Sequence, residues 1–102
     1  MTETPPRISR PIVLNDPLGL HLRAAAKLVV LSKSFRSEIR VICQGTVANA
    51  RSILDLATLG AGRGARLEIV AQGPDAEEAV DALTGLIVGG IDAPADRAVA
   101  AA

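Results

Sequence analysis

The segment Gly19-Leu20-His21-Leu22-Arg23-Ala24-Ala25-Ala26 joins an extended stretch to the first helical pattern of the chain, and it carries the chain's only histidine. Ahead of it, Asn15-Asp16-Pro17-Leu18 has the composition of a loop. The alanine-rich apolar run behind it contains neither Pro nor Gly, which predicts a helix. His21 is therefore predicted at or beside a helix N-terminus.

This position has chemical consequences for the imidazole. The first N–H groups of a helix have no partner within the helix, and the helix dipole makes this end favourable for anions. The same positive end favours a neutral imidazole, which keeps one nitrogen lone pair for nucleophilic attack. A phosphoryl group bound there would meet the helix amides and the guanidinium of Arg23. The local sequence thus favours a phosphoryl acceptor, although a His at a helix start is also typical of a cap or a surface residue.

Hydrophobic periodicity and turn residues predict the elements on either side of this segment. In chain order they are a strand over 11–14, a helix over 22–34, strands over 38–43 and 46–50, a helix over 51–60 with Ser52 as N-cap, a strand over 66–71, and a helix starting at 73–75 and ending at 89–90. This order predicts an α+β domain in which helices pack on one face of an antiparallel sheet.

The length of 102 residues and the hydrophobic content of 49% predict one compact domain over 10–88, with a flexible lead-in over 1–9 and a flexible tail over 89–102. In the first helix, one face is predicted to be core: Ala25, Leu28, Val29 and Ser32. The flanking Val30 and Leu31 widen either that buried face or a contact surface. Cys43 is predicted to be a small buried hydrophobe.

Composition argues against several classes of function. Lys and Arg balance Asp and Glu, and Phe35 is the single aromatic residue, which is unlike a nucleic-acid binder. One histidine and one cysteine cannot supply the usual metal cluster, so no metal is expected. No apolar stretch reaches the roughly 18 residues of a membrane span, and residues 1–10 lack the core of a signal peptide. We therefore expect a cytoplasmic protein that binds other proteins, without insertion into a membrane.

The run Gly-Leu-His-x-Arg-x-Ala-Ala at 19–26 resembles the active-site signature of the HPr family, the histidine-containing phosphocarriers of the bacterial phosphoenolpyruvate-dependent sugar phosphotransferase system. The likeness extends over residues 11–87. It implies an open-faced β-sandwich with a four-stranded antiparallel sheet and three helices on one face. It also implies that His21 accepts phosphate through Nδ1 from enzyme I and passes it to an enzyme IIA component of a sugar permease, while Arg23 stabilises the phosphate. Such a carrier is a substrate of phosphotransferases, not an enzyme, and uses no cofactor.

The resemblance also implies functions for residues outside the signature. Ser52 matches a regulatory site that an HPr serine kinase/phosphorylase modifies in some bacteria, and the same residue is predicted to cap a helix. An exposed hydrophobic patch for docking partners is implied at Leu22, Ile53, Leu54 and Ala57. From the pattern alone, Ile53 or Leu56 could equally belong to the core.

Two positions depart from the family pattern. Leu22 replaces the usual Thr or Ser after the histidine, and Ala24 replaces the usual Pro after the arginine. Leu22 removes a hydroxyl near the phosphate, and Ala24 removes a rigid helix start. These departures keep two alternatives open: a regulatory paralogue, nitrogen-related or serine-phosphorylated, and an interaction module whose histidine is never phosphorylated.

Overall fold

The computed structural model describes residues 4–90 of the chain. Within that range the elements are β1 (Arg7–Val13), α1 (Leu22–Ser32), β2 (Glu38–Cys43), β3 (Thr46–Asn49), α2 (Ile53–Ala57), β4 (Arg66–Gln72) and α3 (Ala76–Val88). Their order confirms the predicted strand-helix-strand-strand-helix-strand-helix sequence. None of these helices has the length and apolar character needed to cross a bilayer.

The four strands form one antiparallel sheet in the order β1-β4-β2-β3. Strand β4 lies between β1 and β2, so that Ile12 and Cys43 are both paired with Leu67. Strands β2 and β3 form a hairpin through Gln44 and Gly45, whose φ angles are +50° and +80°. Positive φ at both central residues is the geometry of a type I′ turn, which matches the natural twist of a hairpin.

The core lies between one face of the sheet and the helices. Alternate residues of the inner strands are buried, while their neighbours in sequence mostly face outward. Helix α3 packs on β1, β4 and β2, whereas α1 packs against α2 and α3 and α2 against β3. The predicted core face of α1 is buried, as is Cys43. These features confirm the open-faced α+β sandwich.

The first strand begins earlier than the sequence predicted. Residues 7–9, expected in a flexible lead-in, pair with β4 from Arg7↔Gln72 onward, and Ile8 packs against the core. The sequence allowed Pro11 either at a strand start or in an edge strand. The second holds, because β1 is an edge strand and Pro11 lies inside it. Residues 1–3 of the predicted lead-in and 91–102 of the predicted tail lie outside the described residues.

Helix α1 ends two residues before the predicted boundary, and its flank settles one open alternative. Val30 is 72% exposed and Leu31 is half-buried. Leu31 packs against the core and widens the buried face of α1, whereas Val30 belongs to the surface.

Candidate functional site

The loop between β1 and α1 is held to the loop before β4 by backbone hydrogen bonds. Leu14 N–H donates to the Ala65 carbonyl at 2.9 Å, and Gly64 N–H donates to the Leu14 carbonyl at 2.6 Å. Within the loop, the buried Asp16 carboxylate accepts from Leu18 N–H at 3.0 Å. This side-chain bond to the backbone two residues on is an Asx turn, which fixes the direction of the chain before the histidine.

At Gly19 the loop lies too close to the loop before β4 for a side chain to fit. Its φ is +68°, and a Cβ there would lie 2.5 Å from the Ala61 carbonyl oxygen and 2.8 Å from Gly62 Cα. The next residue, Leu20, is buried and donates its N–H to the same Ala61 carbonyl at 2.9 Å. The glycine therefore lets the two loops approach closely enough to set the start of α1.

His21 is the N-cap of α1, as the sequence predicted. Its backbone is extended at φ −77° and ψ 175°, and its Nδ1 accepts a hydrogen bond from the Ala24 N–H at 3.3 Å. The nitrogen that accepts this bond carries a lone pair instead of a proton. The residue is only half-buried, and its Nδ1 lies at the N-terminal end of the helix.

The surroundings of Nδ1 suit an incoming anion. The first turn of α1 contains no acidic side chain that would neutralise the positive end of the helix. The backbone N–H groups of this turn point toward the end where Nδ1 lies. Arg23 is an exposed residue of the same turn and adds a full positive charge. The structure thus places both predicted residues at one helix terminus.

The four predicted docking residues lie on α1 and α2, two helices that pack against each other. Leu22 is 62% exposed, Leu54 is 74% exposed, Ile53 is 37% exposed and Ala57 is half-buried. The residue of α2 that enters the core is Leu56, which resolves the choice left open between Ile53 and Leu56. Exposed aliphatic side chains on neighbouring helices are typical of a surface that binds another protein.

One exposed apolar residue near this surface was missed from the sequence. Leu18 is 72% exposed in the loop that precedes His21. Leu18 lies in the Asx turn that begins at Asp16, which the sequence indicated only as a general loop signal. We include Leu18 with the four predicted residues in what we call the α1–α2 surface.

Ser52 is the N-cap of α2, which confirms the predicted cap. Its Oγ accepts from the Asp55 N–H at 3.1 Å, and the residue is half-buried. The Asp55 carboxylate does not complete a reciprocal capping box, because it accepts from Asn49 N–H at 3.1 Å instead. The Ser52 hydroxyl therefore has a structural role in starting this short helix.

Comparison with known proteins gives one family for nearly all of the described residues. The family model described as PTS HPr component phosphorylation site matches residues 8–88. Phosphocarrier protein HPr from Cupriavidus necator is 39% identical over 80 residues, which cover 78% of this chain and 90% of that protein. The region matched by the family model includes both loops that position His21.

A second relative and a solved structure agree with this match. Phosphocarrier protein NPr from Shewanella violacea is 36% identical over 81 residues, covering 79% of this chain and 89% of the relative. The crystal structure of HPr-C-His from Thermoanaerobacter tengcongensis superposes with a TM-score of 0.77 at 35% identity, covering 80% of this chain and 92% of that one. Sequence and fold therefore point to the same group of proteins.

Proposed function

Because the chain belongs to the HPr family and is a phosphocarrier of the phosphotransferase system, we propose that His21 Nδ1 is the atom that carries the phosphoryl group. The observation that supports this assignment is the position of Nδ1 at the N-terminus of α1, where it accepts from the Ala24 N–H. In the forward step, the Ala24 N–H releases the Nδ1 lone pair. The lone pair then forms a bond to phosphorus while the bond from phosphorus to the donor's leaving atom breaks, its electron pair returning to the donor. Transfer to the acceptor is the same exchange in reverse.

The residues around Nδ1 stabilise the group while it is carried. The added phosphoryl oxygens are anionic, and the helix N-terminal amides together with Arg23 supply the complementary positive potential. Leu22 contributes its backbone N–H, although its side chain has no hydroxyl. We propose that Arg23 orients and shields the phosphate, and that the chain itself catalyses no turnover.

We propose enzyme I as the donor and an enzyme IIA component as the acceptor, with the exchange taking place in the cytoplasm. The α1–α2 surface supports this, since its exposed aliphatic side chains lie on the loop and helix next to His21 and on the helix packed against them. Both partners must place a reactive atom at Nδ1. One surface used in turn by donor and acceptor makes the two complexes mutually exclusive.

The decisive test separates the two roles of His21, capping and carrying phosphate. His21→Asn keeps a side-chain oxygen for the Ala24 N–H but has no nucleophilic imidazole, whereas His21→Ala lacks both. After incubation with enzyme I, phosphoenolpyruvate and Mg²⁺, intact mass should show one acid-labile phosphate on the wild type and none on either variant. His21→Asn should unfold in urea close to the wild type, with His21→Ala about 1 kcal/mol less stable.

The same experiment includes a control variant and two outcomes that would contradict the proposal. Ser52→Ala lies on α2 and should accept the acid-labile phosphate as the wild type does. Phosphate that persists on His21→Asn would contradict the assignment of Nδ1. A folded wild type that takes up no phosphate, beside an active control carrier, would leave the alternative of an interaction module.

We further propose Ser52 as a regulatory phosphorylation site for an HPr serine kinase/phosphorylase. Its support is its half-exposed position on the helix next to α1, where added charge would lie at the α1–α2 surface. Incubation with the kinase and ATP should give an acid-stable phosphate that is absent from Ser52→Ala. Phosphate that still appears on Ser52→Ala, or none on the wild type, would overturn this assignment.

A second candidate function is favoured by one observation. A relative named phosphocarrier protein NPr matches nearly as well as the relative named HPr, so a carrier in a nitrogen-related branch is the alternative. Phosphorylation rates with the enzyme I of each branch, taken from one bacterium, distinguish the two. A carrier of the sugar branch should be phosphorylated faster by the sugar enzyme I.

A further inference from the structure

The start of β2 and the end of β3 border a small polar cavity. Its lining residues are Glu38, Ile39, Arg40, Asn49 and Arg51, and its volume is about 90 Å³. That space admits several water molecules or one small anion, but not a drug-sized ligand. We call it the β2–β3 cavity, and it shares no residue with the site at Nδ1.

The strand register brings two arginines to this cavity. Arg40 pairs with Asn49, and one step along the strands the Ala50 N–H donates to the Ile39 carbonyl at 3.0 Å. Ile39 and Ala50 are buried in the core, so the alternation of side chains directs Arg40 and Asn49 to the face that the helices leave uncovered. Arg51 lies two residues beyond Asn49 and lines the same cavity. Long side chains at diagonal positions of an antiparallel pair lie within reach of each other, so both guanidinium groups can contact one ligand.

The guanidinium of Arg51 is held in place while its Nε and Nη1 donors remain unused. Nη2 donates to the Phe35 carbonyl and, at 3.2 Å, to the Ser37 carbonyl. The backbone N–H of Arg51 donates to Asn49 Oδ1 at 2.9 Å. No other residue within 4–90 bonds to this guanidinium. Arg51 is therefore positioned by the fold and can still donate to a ligand.

The charges around the cavity favour an anion. Arg40 Nη1 lies 3.7 Å from the Glu38 carboxylate, and these side chains are 50% and 68% exposed. Such long and exposed ion pairs are weak. Asn49 uses its side-chain oxygen for the Arg51 N–H, so its Nδ2 group is a further donor. Two guanidinium groups and one amide thus face a single carboxylate, and the planar fork of a guanidinium matches the oxygens of phosphate.

We propose that the β2–β3 cavity binds a phosphate-sized anion, either free phosphate or the phosphate group of a small monoester. Its oxygens accept from the guanidinium groups of Arg40 and Arg51 and from Asn49 Nδ2, while Arg40 leaves its weak contact with Glu38. The bonds from Arg51 to backbone carbonyls need not break, so this guanidinium binds without reorganisation. The site is noncovalent and independent of phosphoryl transfer.

The test uses the full chain with isotope-labelled amides and needs no partner enzyme. Inorganic phosphate is titrated in at constant ionic strength, with sodium chloride as the balancing salt, because exposed charges respond to salt alone. We expect saturable chemical-shift changes at the backbone amides of 38–40 and 49–51. Methyl phosphate is titrated in the same way to distinguish the two sources. Saturation with both probes indicates a site that accepts a monoester, and saturation with inorganic phosphate alone indicates a site for the free ion.

Two matched substitutions show whether Arg40 binds the anion directly. Arg40→Gln removes a cation of the cavity and should weaken phosphate binding about three- to fivefold. Arg66→Gln removes the same charge from an exposed position of β4. Arg66 lies four residues from Val70, the partner of Arg40 in that strand, which is about 13 Å along the strand. The Arg66→Gln variant should therefore bind phosphate as the wild type does.

Three outcomes would overturn the proposal. Absence of saturable changes at 38–40 and 49–51 would show that the cavity is not an anion site. Changes confined to residues 21–24 would place the phosphate at the start of α1 instead. Equal affinities of Arg40→Gln and Arg66→Gln would show that the changes report overall charge and not bonds made in the cavity. None of these outcomes depends on phosphorylation of His21, so failure here is distinct from failure of the proposed function.

Discussion

The need for glycine at position 19 comes from a part of the chain that is distant in sequence, the loop at Ala61 and Gly62. The φ of Gly19 is positive, and a Cβ added there would lie 2.5 Å from the Ala61 carbonyl oxygen, so both features disfavour a side chain. For Gly19→Ala we expect a loss of about 2 kcal/mol or more in the free energy of unfolding, since a left-handed residue and a forced shift of packed backbone each cost about 1–2 kcal/mol. Urea unfolding of the purified variant measures this loss.

A neighbouring glycine supplies the control for that measurement. At Gly62 a Cβ would meet nothing within 4 Å and the backbone φ is not in the positive region. Gly62→Ala should therefore change the free energy of unfolding by no more than about 0.5 kcal/mol. Equal losses in the two variants would contradict the close approach of these loops as the reason for Gly19.

At the scale of elements, Asp75 links the start of α3 to the segment between α1 and β2. It is the N-cap of α3, but its carboxylate accepts from Arg36 N–H at 2.9 Å, from Ser37 N–H at 2.9 Å and from Ser37 Oγ at 2.6 Å. The Ser37 hydroxyl, and after it the Arg36 N–H, holds the pKa of the Asp75 carboxyl below its ordinary value of 3.8. The ionised carboxylate thus joins elements that are distant in sequence.

This lowered pKa predicts a dependence of stability on pH. A carboxyl whose pKa is lower in the folded than in the unfolded state stabilises the fold fully above the unfolded value. That contribution is lost as the pH falls from about 4 through the folded pKa. Ser37→Ala should lower the free energy of unfolding at pH 7 and reduce its decline toward pH 3. Urea unfolding at several pH values measures both effects.

Ser34 provides the matched control, because its hydroxyl donates to the Leu31 carbonyl and not to a carboxylate. Ser34→Ala should leave the slope of stability against pH unchanged. A slope in Ser37→Ala equal to that of the wild type would contradict the role of the Ser37 hydroxyl.

The elements that the sequence predicted well are those whose signals are local. Strand β2 has the predicted bounds because apolar and polar residues alternate along it, and α1 begins at the predicted residue because the loop residues precede it directly. The start of β1 was wrong because tolerance of Pro11 depends on which strand lies at the edge. The helix over 51–60 is shorter in the structure, where α2 ends at Ala57 and Thr58 Oγ1 donates back to the Leu54 carbonyl.

The same distinction holds for the candidate site. The sequence predicted the position of His21 and Arg23 at the start of α1, because loop residues and then an apolar run mark a helix start around them. Their roles in phosphoryl transfer rest on the resemblance to the HPr family and stay a prediction. The contact of Gly19 with Ala61 and the bonds of Asp75 to Ser37 were not predicted, since both join residues about forty positions apart. Interactions of this kind depend on how the elements pack, for which the sequence provides only residue types.

At the scale of the whole molecule, the helices that cover the sheet also carry the α1–α2 surface, which we propose as the surface that binds partners. Leu54 is its most exposed predicted member, at 74%, and contributes little to the core. Leu54→Asp should therefore change the free energy of unfolding by no more than about 0.5 kcal/mol. Burial of a charge in the complex should raise the KM of enzyme I for the carrier about tenfold, which corresponds to about 1.4 kcal/mol of lost binding.

The control for this prediction lies on the other side of the sheet. Val47 in β3 is 53% exposed, and its neighbour Ala48 points into the core beneath the helices. Val47→Asp therefore adds the same charge to an exposed aliphatic position on the face that the helices leave uncovered. Its KM for enzyme I should match that of the wild type. If both variants raise KM equally, the added charge acts at long range and the α1–α2 surface is not where enzyme I binds. If Leu54→Asp alone raises it, the partner approaches from the helical side, where His21 lies.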